Sequence, residues 1–377
     1  MLDAGLKVTV LSNKDAYQRV DSENLSLRSL PFGAERVSKL LLMLRSSSIR
    51  QKVIELAKTH DIVYITGKLL FLTPDLKRAN QDAKIIAHLH DYQLVCPHAS
   101  LHNFLTHGRC GSIWNSRDCM RCAYRYGYVE SHGVSQPFLD ALSTAMWKHA
   151  VKLPDLIDSV DSFITVSRAQ RGLIASALGE HDTTFLSKNV TLYNPVEANI
   201  GYVPPSFGSD YTLGFFGGAR YIKGYDLACG LVKCLDGLPI RLLVAGSNTS
   251  AGIRDEGRVE HLGNLSAAEV AELYKKVWIV LFTSRVDEPL PYILVEAQLR
   301  GRPILASKVG GVHEVLVKDG YTGRLVDPVG FKSAVEDLLV LLDDKPCSYT
   351  EEISAMAREF FHERSTESYD NFLKLMI

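Results

Sequence analysis

Residues 278–307 read WIVLFTSRVDEPLPYILVEAQLRGRPILAS. The stretch opens on a near-continuous apolar segment, WIVLFTS (278–284), and closes on another, RPILAS (302–307). Between them PYILVEAQLRG (291–301) has helical character. Pro291 suits the first turn, where its fixed φ is already helical and its missing N–H has no partner to lose. Strands that are apolar throughout, rather than alternating, are covered on both faces, which is the habit of a parallel sheet dressed with helices.

Working outward, the same alternation continues. YTLGFFGG (211–218), IRLLVAG (240–246) and the runs above read as strands, while YDLACGLVKCL (225–235) and SAAEVAELYKKV (266–277) have helical spacing. GGVHEVLVKDG (310–320) follows the last strand and is expected to open a further helix. The first half repeats the theme. LKVTVLS (6–12), DIVYITG (61–67), AKIIAHLH (83–90), DSFITVS (161–167) and NVTLYN (189–194) read as strands, with helix-like segments at 35–46, 48–59, 136–157 and 168–178. Residues 91–135 read as irregular, and 194–211, with three prolines, as a hinge. The expected architecture is α/β, two doubly wound parallel-sheet domains facing across a cleft. Residues 1–195 form the first domain, 196–350 the second, and 351–377 a C-terminal helix crossing back to the first.

Bulk properties exclude several classes. The 42 basic and 43 acidic side chains nearly cancel, so no electrostatic case for nucleic acid arises. No apolar run approaches the roughly 20 residues of a membrane-spanning helix. Seven cysteines in 377 residues do not suggest a secreted disulfide scaffold, and the expected place is the cytoplasm, with contact at the inner face of a membrane left open.

The chemistry-bearing residues collect at the ends of the second domain's strands. Glu288 falls in the loop after one strand, and Glu296 in the second turn of the helix begun at Pro291. Gly217 and Gly218 end another strand and are followed by Arg220 and Lys223. Gly310 and Gly311 end a third. Bare backbone amides and fixed cations at neighbouring strand ends suit a diphosphate, and two carboxylates beside them suit the hydroxyls of a sugar and a ribose.

FTSRVDEPLPYILVEAQLRGRPILASKVGGVHEVLVKDGYTGRLVDP (282–328) resembles glycosyltransferase family 4, retaining enzymes of the GT-B fold. FFGGARYIKGYDL (215–227) looks like that family's donor-phosphate loop, and 160–179 and 189–196 resemble its interdomain segments. The resemblance implies that Lys223 and Arg220 clamp the diphosphate of a UDP- or GDP-sugar, although Arg220 stands closer to the lysine than is usual. It further implies that Glu296 holds the ribose, Glu288 contacts the transferred sugar, and the amides near Gly310 and Gly311 assist the phosphates. His90, where AKIIAHLH ends, is placed on the donor sugar, with His88 left in the core. No divalent ion is implied for the transfer, and the acceptor is a glycan, a lipid or a small molecule.

Three further features stand outside this reading. MLDAGLKVTVLS reads as the end of a first helix and a second strand, so the family's first strand is expected upstream of Met1. Cys96, Cys110, Cys119 and Cys122 permit a structural zinc site, or are plain free thiols. Tyr124, Arg125, Tyr126 and Tyr128, nearby, could stack on sugars or meet lipid phosphates, or belong to a solvated loop. The rivals to a sugar transferase are a catalytically impaired relative acting in binding or regulation, and an isomerase on the same fold. No G-x-G-x-x-G follows a strand, which disfavours a nicotinamide site.

Overall fold

The computed structural model describes residues 7–12, 25–29, 48–110, 116–130, 135–196, 200–246, 257–327 and 330–376. In the first domain the chain runs β1 (Val8–Ser12), β2 (Leu25–Ser29), α1 (Ser48–Ala57), β3 (Ile62–Thr66), α2 (Thr73–Ala79) and β4 (Lys84–Leu89). A short hairpin, β5 (His102–Asn103) and β6 (Gly108–Arg109), precedes α3 (Ser116–Glu130), α4 (Gln136–Ala150) and α5 (Leu153–Ser159). The domain closes with β7 (Ser162–Thr165), α6 (Arg168–Leu178), α7 (Asp182–Lys188) and β8 (Asn189–Thr191). Strands β3, β4, β7 and β8 form a parallel sheet in that order, and β1 pairs with β2, also parallel.

The second domain contains β9 (Tyr211–Phe215), α8 (Tyr225–Cys234), β10 (Ile240–Ala245), β11 (Val259–Gly263), α9 (Ala267–Lys276) and β12 (Ile279–Phe282). It continues through α10 (Tyr292–Leu299), β13 (Ile304–Ser307), β14 (Gly323–Val326) and α11 (Phe331–Asp344). Its sheet has the order β11-β10-β9-β12-β13-β14, parallel throughout. All four residues of β12 are buried, as a strand covered on both faces requires. Helix α9 starts on a capping box: Ser266 accepts from the Glu269 amide, and Glu269 returns a bond to the Ser266 amide. The chain builds outward from β9 to β11 and then crosses to the other side at β12. A crevice opens at such a reversal, beyond the carboxyl ends of the two central strands.

Helix α12 (Pro346–Met376) starts five residues before the expected position and crosses between the domains. Its first turns bury Tyr349 and Ile353 in the second domain's core, and its end puts Met376 and Phe372 against Ile86 and Ile164 of the first sheet. The linker is pinned by a buried guanidinium. Arg302 donates to the carbonyls of Tyr274 (2.8 Å) and Val203 (2.9 Å), and burial lowers its pKa to about 10.

Three expectations differ from the structure. The helix expected over 136–157 is two helices, broken where Val151 and Lys152 are extended ahead of Pro154. The segment 91–135, expected to be irregular, holds the fifteen-residue α3 and the β5–β6 hairpin. Gly310 and Gly311 open a five-residue 3₁₀ turn, Gly310–Glu314, and not an α-helix. The helix expected at 35–46 lies outside the described residues.

Candidate active site

The site is built on the loop that leaves β12. Thr283 Oγ1 donates to the Gly224 carbonyl at 2.7 Å, and the Ser284 hydroxyl is buried against the Ile222 and Val286 carbonyls. Gly224 has φ +72°, and a Cβ there would lie 1.8 Å from the Thr283 carbonyl oxygen. Only glycine allows the loop after β9 to press so closely on the loop after β12. That contact fixes Lys223 beside Glu288. Lys223 Nζ donates to Glu288 Oε1 at 2.5 Å, with both side chains more than two-thirds buried, and Ser284 Oγ stands 3.3 Å from the same carboxylate oxygen.

The neighbouring Asp287 joins three elements. Arg109, from β6 of the first domain, forks onto its carboxylate at 2.7 and 3.0 Å, and the Gly310 amide donates to it at 2.9 Å. The Gly311 amide donates to the Glu288 carbonyl at 2.8 Å. Gly310 and Gly311 thus differ from their expected role: their N–H groups hold the 287–288 loop and do not stand open for an anion. Glycine is needed here for close approach, since a Cβ on Gly311 would fall 2.1 Å from the Pro289 carbonyl oxygen.

Arg220 is held from the first domain. Its Nε donates to Glu130 Oε2 at 3.0 Å, and the Ile222 amide donates to the other oxygen at 2.8 Å. Gly218 lies in the left-handed region at φ +62°, and its amide donates to Ala245 at 3.0 Å, tying the turn after β9 to the end of β10. A Cβ on Gly217 would come within 2.9 Å of the Phe215 ring and 3.0 Å of Lys223 Cβ. The glycine pair therefore keeps the floor of the crevice low beside Lys223 and Arg220. Glu296 lies one element further on, in the second turn of α10, paired with Arg300 at 3.1 Å.

His90 stands at the carboxyl end of β4, partly open to solvent, its ring 4.0 Å from that of His88. His88 is hydrogen-bonded through Nδ1 to the Tyr64 hydroxyl. Burial, with the charge of His90 adding to it, lowers the His88 pKa to about 3, and burial also lowers that of His90. His88 is thus uncharged at neutral pH, and His90 is biased the same way, toward a hydrogen-bonding partner for hydroxyls. Two residues later the buried Tyr92 lies within reach of the charges of Asp287 and Glu288, which add to burial in raising its pKa. The end of β4 therefore faces the Glu288 loop. Ser167 strengthens that approach by donating to the Pro289 carbonyl at 2.5 Å.

Sequence reasoning missed the side chains that join the domains. Arg109 and Glu130 lay in the segment read as irregular, and each meets its partner across long stretches of chain, 178 residues for Arg109 and Asp287. Glu314 was also missed. It accepts from the Arg168 and Ala169 amides at the start of α6 (3.0 and 2.7 Å) and from the Tyr193 hydroxyl at 2.8 Å. A carboxylate at a helix N-terminus is favourably placed. No local pattern in the sequence signals that pairing.

Of the two readings open for Cys96, Cys110, Cys119 and Cys122, the geometry favours thiols that hold no metal. Among the described residues no three His, Cys, Asp or Glu side chains are placed to share a metal ion. Cys122 Sγ is instead taken up by backbone, 3.3 Å from the Phe104 amide and 3.6 Å from the His102 carbonyl, and burial pushes its pKa up to about 12. Burial raises Cys96 and Cys119 as well, so these thiols stay protonated. None of the seven cysteines, all of them among the described residues, is in a disulfide. Among the described residues no helix is long and apolar enough to cross a membrane.

This two-domain arrangement is that of GT-B glycosyltransferases. Anabaena Alr3699/HepE in complex with UDP-glucose aligns over 97% of this chain and 99% of its own, with a TM-score of 0.64 at 16% identity. Sucrose-phosphate synthase from Thermosynechococcus elongatus aligns over 100% of this chain and 90% of its own, with a TM-score of 0.61 at 14% identity. Residues 203–360, most of the second domain, match the family described as glycosyl transferases group 1. An uncharacterized 42.6 kDa protein of the cps region of Klebsiella pneumoniae is 20% identical over 351 residues, 90% of this chain and 84% of that protein. The D-inositol 3-phosphate glycosyltransferase of Segniliparus rotundus is 31% identical over 148 residues, 35% of this chain and 32% of the relative.

Proposed function

We propose that the protein is a retaining, metal-independent glycosyltransferase that moves a sugar from a nucleoside diphosphate sugar to a glycan, lipid or small-molecule acceptor. The observation that carries the reading is the Lys223–Glu288 pair, 2.5 Å apart at the reversal of the sheet order and facing the first domain. A cation and a carboxylate in contact can be shared out when a donor enters, the cation to the diphosphate and the carboxylate to the sugar. Charge grows on the departing phosphate oxygen as the anomeric C–O bond breaks. A fixed cation there lowers the barrier because it binds the transition state better than the ground state. Lys223 supplies that charge, with Arg220 beside it once Glu130 yields part of its grip.

In the proposed step an acceptor hydroxyl oxygen bonds to the anomeric carbon on the face the diphosphate leaves. The C–O(phosphate) bond breaks, and the hydroxyl proton passes to the leaving phosphate oxygen. Glu288 orients the donor and stabilises the oxocarbenium-like centre, and His90 hydrogen-bonds a sugar hydroxyl. Glu296 is assigned to the nucleotide ribose. The structural relatives that hold UDP and UDP-glucose favour a UDP-sugar over a GDP-sugar as donor. Seven cysteines with no disulfide among them fit a reducing compartment, the cytoplasm.

The test is a transfer assay over a panel of UDP- and GDP-sugars, run with and without a chelator, with the product's anomeric configuration read by NMR. The expected product keeps the donor's configuration at an unchanged rate under chelation. An inverted product, or hydrolysis and transfer absent from every donor, overturns the reading.

A further inference from the structure

The α3–α4 pair presents a surface unlike that of an ordinary soluble domain. The two helices approach closely at Gly127, where a Cβ would lie 2.8 Å from Pro137 Cα and 2.6 Å from an Asp140 carboxylate oxygen. What faces away from that contact is apolar. Tyr128, Phe138 and Leu142 are 64%, 66% and 53% exposed, and Tyr124, Leu139 and Met120 are exposed beside them. The Tyr124 and Phe138 rings meet edge-on at 5.4 Å, which joins the two helices into one patch. Contiguous exposed aromatic and aliphatic side chains mark a contact surface.

The patch has a cationic margin. Arg117, Arg121 and Arg125 recur every fourth residue of α3, so they form one exposed stripe beside Met120, Tyr124 and Tyr128. The Arg125 guanidinium lies over the Tyr128 ring at 5.3 Å. Asp118, 3.8 Å from Arg121, offsets part of the charge, while Asp140 is buried against Gly127 and does not face outward.

We propose that this face docks on an anionic phospholipid bilayer. The rings and leucines enter the boundary between headgroups and acyl chains, and the arginines meet lipid phosphates. Aromatic side chains with a polar tip or a cation above them suit that interface. Charge complementarity decides for lipid over a second copy of the chain, since a two-fold contact through this face would bring two arginine stripes together. The proposal goes beyond the transferase reading and does not depend on it. It also has a structural consequence. Helix α3 runs from the docking face to Glu130, which grips Arg220 and the Ile222 amide in the crevice. One rigid helix thus connects bilayer contact and donor loop.

The experiment is sedimentation of the full chain with phosphatidylcholine vesicles, with and without phosphatidylglycerol. The parent is expected to bind the anionic vesicles and to release as salt is raised. Replacing Arg117, Arg121 and Arg125 together by Gln is expected to lower partitioning on the order of a hundredfold. Phe138→Ser with Leu142→Ser is expected to lower it about tenfold or more. All five positions are exposed, so the thermal midpoint and its shift with nucleoside diphosphate should not move, which separates this test from the donor reading. Equal binding to neutral and anionic vesicles, or parental binding by both variants, overturns the proposal. So does a parent dimer that the Phe138/Leu142 variant dissociates without any vesicle binding.

Discussion

Glu288→Gln is expected to lower the transfer rate at saturating donor by roughly a thousandfold, the scale on which a lost electrostatic stabiliser of a transition state is felt. The replacement keeps the shape and an oxygen that can still accept from Lys223, now 2.5 Å from Glu288 Oε1. What it removes is the negative charge beside the anomeric carbon, which matters most when that carbon is cationic. Nucleoside diphosphate affinity should stay the same or rise, because Lys223 loses a competing carboxylate. The fold should survive, since the replacement fills the same space and its amide oxygen can still accept from Lys223. Single-turnover kinetics with equilibrium binding of the nucleotide separate the two effects. Transfer at the parental rate would remove Glu288 from the catalytic role.

Lys223→Ala is expected to weaken nucleoside diphosphate binding by about a hundredfold, the worth of a strong charge-assisted hydrogen bond plus the repulsion left behind. With Lys223 gone, Glu288 faces the phosphates unneutralised. A ligand at about 100 times its dissociation constant raises unfolding free energy by about 2.7 kcal/mol in the parent, and a hundredfold loss of affinity reduces that to about 0.4 kcal/mol. Lys223→Arg should recover part of the binding, because the cation is restored with a different reach. An unchanged thermal shift in the alanine variant would place the diphosphate elsewhere.

The second domain was legible because its strands are buried on both faces and therefore read as unbroken apolar runs. Ile279–Phe282 and Ile304–Ser307 lie where the alternation of strands and helices puts them, and that alternation places Lys223 and Glu288 after neighbouring strands. Helix α3 was not legible. It buries only Ala123 and Gly127, so the apolar stripe that signals a helix is missing and its large apolar side chains point outward. The glycine pair at 310–311 shows a different limit. Its position could be read, but whether an N–H stands open or is taken by Asp287 and the Glu288 carbonyl depends on a loop 23 residues earlier. The contacts of Arg109 with Asp287, Glu130 with Arg220 and Glu314 with the start of α6 are set by how two domains meet. Such contacts leave no periodicity in either partner's neighbourhood.

The shared crevice is tested most directly by a crystal structure of the protein with UDP bound. The account predicts the diphosphate against Lys223 and Arg220 at the end of β9, the ribose at Glu296, and Glu288 bordering the space where a sugar would sit. A diphosphate seated away from Lys223, with the Lys223–Glu288 pair undisturbed, would contradict it.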